Sequence, residues 1–389
     1  MNSGRTVFSQ LLDFLPRHEF NLCVRRYRGN RRVRRFSCLN QFLALMFAQL
    51  TGRRSLRDIE TTLLAFAERL YHAGFRGAVS RSTLADANDR RDWRIWADFA
   101  AVLIAHARRL YAREEFGVAL EQTAYAFDST TIDLCLALFP WAQFRRHKSA
   151  VKLHTLLDLR GNIPCFVRIS SGKTADVVVL DDLVLEAGSF YIFDRGYIDF
   201  ARLYRFTLAG AFFVTRAKRR MDFRCKCPLP VDRTTGVHSD QIITLHGPLT
   251  ASLYPQALRR IRYVDEETGQ GLVFLTNHFG LPARTIADLY RCRWQVELFF
   301  KWIKQHLHIQ AFFGTSENAV KTQVWIALST YVLVAIVKKE LCLEKSLYEI
   351  LQILSLTLFE KTPLLQVFSN KNATSQREQE RNSLPLFNF

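Results

Sequence analysis

Val151-Lys152-Leu153-His154-Thr155-Leu156-Leu157-Asp158-Leu159-Arg160-Gly161-Asn162-Ile163 is the stretch that decides the fold class. From Val151 to Leu159 it alternates, setting Lys152, His154, Leu156 and Asp158 against Val151, Leu153, Thr155, Leu157 and Leu159. A period of two is the signature of a strand. Arg160-Gly161-Asn162 then supplies turn chemistry, and the chain returns through Ile163 to Ile169, so the stretch predicts a β-hairpin. Upstream, Thr123 to Ile132 is rich in β-formers and places Asp128 directly after the apolar Tyr125-Ala126-Phe127. Downstream, Thr174 to Ala187 reads as a helix capped by Thr174 or Asp176. Ser189 to Phe193 reads as a short buried strand ending at Asp194. Ala201 to Leu208 follows as a helix and Ala211 to Thr215 as a strand. The order strand, hairpin, helix, strand, helix, strand predicts a mixed α/β sheet layered with helices.

The flanks differ in character. Residues 1–120 read as an all-α N-terminal domain. Ser37 or Asn40 caps an apolar helix from Leu39 to Leu50, Ser55 opens a second from Leu56 to Leu70, and Ser80 opens a third carrying Arg81, Ser82, Thr83 and Asn88. A short helix, a turn and a polar helix is the layout of a helix-turn-helix. The sheet and its helices are expected in residues 121–216 and 280–345, with a β-rich insertion at 217–279. Within that insertion Gln241 to Leu245, Arg260 to Val264 and Leu272 to Leu275 are strand-like, and Lys218, Arg219, Arg220, Arg224 and Lys226 make its entry basic. Val324 to Val337 is too short an apolar run to span a bilayer and predicts a buried helix. Residues 346–389 read as a C-terminal helix and a loose tail from Phe368.

The charge balance names a partner class. There are 54 Lys plus Arg against 36 Asp plus Glu, a net charge of +18. A chain this basic meets a polyanion, most often nucleic acid. The densest cluster, Arg25, Arg26, Arg28, Arg31, Arg32, Arg34 and Arg35, predicts a phosphate-contacting loop. Met1 to Asp13 lacks the apolar segment of a secretory signal, which points to the cytoplasm. The eight cysteines are scattered, as reduced thiols are. Cys225 and Cys227, with His238 and His246, form a zinc alternative whose spacing fits no usual zinc pattern.

The chemistry gathers near residue 300. The run from Ala287 to Lys304 has no Gly or Pro and predicts one helix. On it Tyr290, Arg293, Glu297 and Lys304 fall within a wedge of roughly 60°. One carboxylate is thus flanked by two cations and a phenol. Asp128 and Asp194 end adjacent core strands and are placed to meet Glu297. Three carboxylates without His or Cys suit magnesium or manganese. Two such ions about 3.5–4 Å apart activate a water or a 3′-hydroxyl for attack on a phosphodiester. Asp158 and Asp176 compete as ligands, but a salt-bridge role is expected for them and a structural one for His154.

Tyr290, Arg293, Glu297 and Lys304 match, at every spacing, the Tyr-x2-Arg-x3-Glu-x6-Lys signature, and the chain resembles the IS4 family of insertion-sequence DDE transposases. Phe127-Asp128-Ser129-Thr130 and Phe193-Asp194-Arg195-Gly196-Tyr197 look like its two aspartate regions. The resemblance implies an RNase H-like catalytic core with a β-rich insertion, preceded by an all-α N-terminal domain. It implies that Asp128, Asp194 and Glu297 bind Mg2+, with Mn2+ as substitute. Tyr290, Arg293 and Lys304 would hold phosphates of the DNA end. Trp294 would stack on a displaced base or else sit in the core. The implied partners are double-stranded DNA, as terminal inverted repeats and target, and a second copy in a DNA-bound homodimer. No membrane is implied, and the bacterial nucleoid is the expected location. The alternative is a catalytically silent DNA-binding protein derived from a transposase.

Overall fold

The hairpin forms as the sequence predicts, and the sheet grows from it. The computed structural model describes residues 4–75, 77–306 and 312–369. Its first strands are β1 (Ala124–Leu134), β2 (Gln143–Arg145), β3 (Lys148–Asp158), β4 (Ile163–Ser171), β5 (Phe190–Phe193) and β6 (Phe212–Arg216). β3 pairs antiparallel with both β4 and β1, β5 runs parallel to β1, and β6 parallel to β5. The short β2 pairs with the start of β3. The spatial order β4-β3-β1-β5-β6 is the arrangement of an RNase H-like core. At the hairpin turn Gly161 and Asn162 both take left-handed backbone, φ +79° and +56°. A Cβ on Gly161 would lie 2.1 Å from the Tyr111 ring, so only glycine fits.

The central strands are buried on both faces, which explains the unbroken apolar run of β5. Tyr125, Phe127, Tyr191 and Phe193 enter one apolar layer with Val179, Leu180 and Phe206. Ala124, Ala126, Phe190 and Ile192 enter the other, which helices cover. Asp128 and Asp194 continue this second set beyond the apolar part of each strand.

One feature goes beyond the expectations and two depart from them. The strands of residues 217–279 extend the same sheet. β7 (Phe223–Pro228), β8 (Val237–Leu245), β9 (Leu258–Val264) and β10 (Gly271–Thr276) add in the order β6-β10-β9-β8-β7. Thr276, Leu275 and Phe274 pair with Val214, Thr215 and Arg216, so the edge of β6 is the template. β7 is left as an exposed edge guarded by Arg224, Lys226 and Pro228. Next, the expected helix at Thr174–Ala187 is only a 3-10 segment, Asp176–Asp182. Three consecutive valines disfavour an α-helix, and Lys152 and Ser129 hold the Asp176 carboxylate. Finally, the single helix expected through Tyr290 and Lys304 is two, Ala283–Arg291 and Trp294–His306. Between them Arg293 N–H donates to the Tyr290 carbonyl and Gln295 N–H to that of Cys292, a 3-10-type tightening.

The N-terminal region supplies helices Cys38–Leu50, Leu56–Ala65, Ala67–Leu70, Arg81–Arg90 and Arg94–Tyr111. Ser37 and Asn40 form a reciprocal capping box, and Ser55 and Ser80 cap as expected. Glu317–Glu340 is long and apolar enough to cross a membrane, yet it is buried in protein from Ala319 to Val337. Asn318 donates to the carbonyls of Asn88 and Arg91, Tyr111 to that of Ala335, and Tyr331 to that of Asn162. One continuous apolar cluster joins this helix, the N-terminal helices and the covered face of the sheet. Leu347–Thr357 and Leu364–Phe368 follow. Most of the expected tail, residues 370–389, lies outside the described residues.

Candidate active site

Strand register brings the two aspartates level. β1 pairs Ala126 with Ile192 of β5, and Asp128 and Asp194 each lie two residues further on the same face. Glu297 arrives from the Trp294–His306 helix, which packs across β1 and β3. Arg293 joins the pieces. Its Nη1 donates to Asp128 Oδ2 at 3.0 Å and its Nη2 pairs with Glu297 Oε1 at 2.6 Å. The Tyr290 hydroxyl donates to Asp194 Oδ1 at 3.2 Å, its ring packs on Phe274, and the Arg293 guanidinium lies 5.7 Å from the ring centre. Asp128 Oδ1 accepts the Ser129 N–H at 2.8 Å and the Tyr197 hydroxyl at 3.4 Å.

These contacts set the electrostatics. Burial pushes the Asp128 carboxyl up, the Ser129 N–H and Arg293 oppose that push, and Glu297 adds to it. Burial likewise pushes the Tyr290 phenol up to about 12, so it is a neutral donor at pH 7. For Arg293 burial acts downward, but Tyr290, Glu297 and Asp128 outweigh it and the net direction is up. Lys304 is held apart from the acids: its Nζ donates to the Thr131 carbonyl of β1 at 2.8 Å, and burial lowers its pKa. Trp294 is 56% exposed, which removes the core alternative for it.

The donor set is all oxygen, as a hard divalent cation requires. Its present arrangement is different. Among the described residues no group of three or more His, Cys, Asp or Glu is spaced to hold a metal ion. The positive charge between Asp128 and Glu297 is the Arg293 guanidinium. Cys225, Cys227, His238 and His246 form no zinc cluster among the described residues; the two cysteines lie exposed on edge strand β7.

On the other face of β1 lies a polar network. Asp176 accepts from Ser129 Oγ at 2.8 Å and from Lys152 at 3.1 and 3.2 Å. His154 is fully buried, bonds Ser170 through Nε2 at 2.8 Å, and leaves Nδ1 3.6 Å from Asp176. Asp158 sits at the far end of the hairpin, paired with Arg108. Tyr197 was not singled out in the sequence. Its place three residues after Asp194, on a tight turn, was the available signal.

The arginine loop is exposed. Arg31, Arg34 and Arg35, with Arg28, Arg90 and Thr83, line a cavity of about 730 Å3 between the loop and the Arg81–Arg90 helix. Arg32 is exposed in the same loop, and Arg28 and Arg32 both take left-handed backbone, φ +52° and +58°, a conformation that costs non-glycine residues energy.

An RNase H-like sheet with Asp128 inside its first strand and Asp194 just past the end of β5 defines the class, and the family comparison agrees. The family described as Transposase DDE domain matches residues 120–333, more than half of the chain, and the chain belongs to that family. A domain of unknown function, DUF4372, matches residues 3–76. A Sinorhizobium fredii protein that carries the name transposase y4zB is 34% identical over 257 residues, 65% of this chain and 70% of that one. A Geobacillus stearothermophilus protein named as a transposase for insertion sequence element IS5377 is 33% identical over 211 residues, 53% of this chain and 54% of that one. A Synechocystis protein named for insertion sequence element IS4SA is 22% identical over 285 residues, 72% of this chain and 77% of that one. A cryo-EM structure of the piggyBac transposase synaptic complex with hairpin DNA aligns with a TM-score of 0.44 at 10% identity, over 96% of this chain and 84% of that one.

Proposed function

We propose that this insertion-sequence transposase binds the terminal inverted repeats of its element, cleaves their 3′ ends and joins them to target DNA by strand transfer. The observation that carries the reading is the gathering of Asp128, Asp194 and Glu297 by Arg293 and Tyr290 inside a Transposase DDE domain. Asp128, Asp194 and Glu297 would hold magnesium, with manganese substituting. The bound ions supply activation of a water or 3′-hydroxyl and stabilisation of the leaving oxygen. The chain's own residues do the rest. Ser129 N–H and Tyr197 fix the rotamer of Asp128, and Tyr290 holds Asp194 until its hydroxyl turns to the DNA. Arg293, Tyr290 and Lys304 grip phosphates beside the scissile bond, and exposed Trp294 offers a stacking face to a displaced base. The loop bearing Arg31, Arg32, Arg34 and Arg35 contacts phosphates further along the duplex. Pairing two DNA ends requires two copies, hence a DNA-bound homodimer, working in the cytoplasm at the nucleoid.

The test is cleavage of a labelled duplex carrying the element's own end, with magnesium, manganese or neither. Metal-dependent 3′ nicking by the native chain, lost in Asp128→Asn and Glu297→Gln, is the expected result. End binding without nicking in all three proteins would replace this reading with a silent DNA-binding relic.

A further inference from the structure

Arg293 divides its guanidinium between two acids from different elements, Asp128 on β1 and Glu297 on its own helix, at 3.0 and 2.6 Å. Its Nε is buried and has no hydrogen-bond partner among the described residues. Carboxylates drawn this close repel, and a planar fork with one prong on each cancels the repulsion. A divalent cation on the same acids would cancel it too, but at Asp128 Oδ2 and Glu297 Oε1 it would meet the like charge of the guanidinium, which disfavours holding both. Asp128 Oδ1 offers no easy substitute, because it already accepts from Ser129 and Tyr197.

We propose that Arg293 is the resident counter-charge of these acids, that it must leave them before a divalent cation binds there, and that a DNA phosphate draws it away. The last step rests on the phosphate-gripping role proposed above. A phosphate can accept two parallel N–H bonds from the fork, replacing those given up. Nε, which donates to no group among the described residues, supplies a further donor. Metal and DNA then bind cooperatively, and each raises the affinity of the other by the same factor.

Mn2+ binding to the full chain, read as free Mn2+ by electron paramagnetic resonance, tests this without any cleavage step. Arg293→Gln should bind Mn2+ roughly ten-fold or more tightly than the native chain. Arg293→Lys should show a smaller gain, since an ammonium lacks the fork, and it keeps the test open if the glutamine protein misfolds. Adding Glu297→Gln to Arg293→Gln should erase the gain, placing the ion at these acids. A 40-base-pair duplex carrying the element's end, of the order of four helical turns, should tighten Mn2+ binding to the native chain and barely change that of Arg293→Gln. If neither Arg293 variant gains affinity, or the gain survives Glu297→Gln, the counter-charge exchange is wrong. If the duplex leaves native Mn2+ binding unchanged, the coupling is wrong. Failure of DNA cleavage with these binding results intact would remove the proposed function and leave the exchange standing.

Discussion

Two arginines hold carboxylates in this protein in opposite ways. Arg259 on β9 sends Nε and Nη2 to the two oxygens of Asp240 at 2.9 and 2.6 Å, and Nη1 to the carbonyls of Phe279 and Leu281 at 3.3 and 2.6 Å. That pair is closed, with side chains 5% and 3% exposed. It ties β8 and β9 to the loop that launches the Ala283–Arg291 helix. Arg293 is split between two acids, its Nε meets no acceptor among the described residues, and its partners Asp128 and Glu297 are 21% and 33% exposed. A saturated guanidinium is a staple, whereas a half-used one at the solvent's edge is exchangeable.

The sharpest break would be chemical. Glu297→Gln keeps the helix and one hydrogen-bond acceptor for Arg293, yet cleavage of the end duplex should fall by on the order of 10³-fold or more while end binding persists. Cleavage that survives in a gel assay would make Glu297 another salt-bridge acid. Next comes stability. Arg259→Ala leaves Asp240 buried and unpaired and should cost about 3–5 kcal/mol in urea unfolding. Arg293→Ala should cost about 1 kcal/mol or less, since its partners reach solvent. Equal costs would erase the distinction between the two sites.

A second half-satisfied group, His154, sharpens the picture through pH. Burial holds it at about 4, against 6.5 when free. Between those values the unfolded chain takes up a proton that the folded chain refuses, so stability falls as pH drops from about 6.5 to about 4. The full loss is on the order of 3 kcal/mol. Unfolding midpoints of native and His154→Gln proteins at pH 7 and pH 4.5 check this, and parallel losses in both would clear His154 of the effect. The smallest effect belongs to arginines outside these acid clusters. Alanine at Arg31, Arg34 or Arg35 should each reduce the salt dependence of duplex binding by about 0.9 in the log–log slope. A slope that does not move would take the loop off the DNA.

Much of this was legible because local chemistry and tertiary structure agree. Gly161-Asn162 announces the hairpin turn, Ser37, Ser55 and Ser80 announce helix starts, and apolar runs ending in Asp128 and Asp194 announce core strands that emerge at one rim. What was hidden depends on partners far away in the chain. Nothing local breaks the helix at Cys292 and Arg293, where the tightened turn sits beside the reach of Arg293 to Asp128, 165 residues earlier. The 3-10 segment at Asp176 is held by Lys152 and Ser129 of the sheet, although its three valines are a local sign against an α-helix. That β10 would adopt the edge of β6 could not be read from either strand alone, because edge pairing has no sequence motif of its own.

The buried Glu317–Glu340 helix has a consequence for synthesis and for decay. It leaves the ribosome after the sheet and after every N-terminal helix, yet it fills the middle of the cluster they share. Until it arrives, both the helical layer and the sheet present bare apolar faces, and the nascent chain is exposed to aggregation. An element copy whose gene is cut short before codon 317 should therefore yield an insoluble product in place of a competitor for DNA ends. Fractionation of a chain ending at residue 316 measures this, and a soluble, duplex-binding product would show that the helix is dispensable for the layers around it.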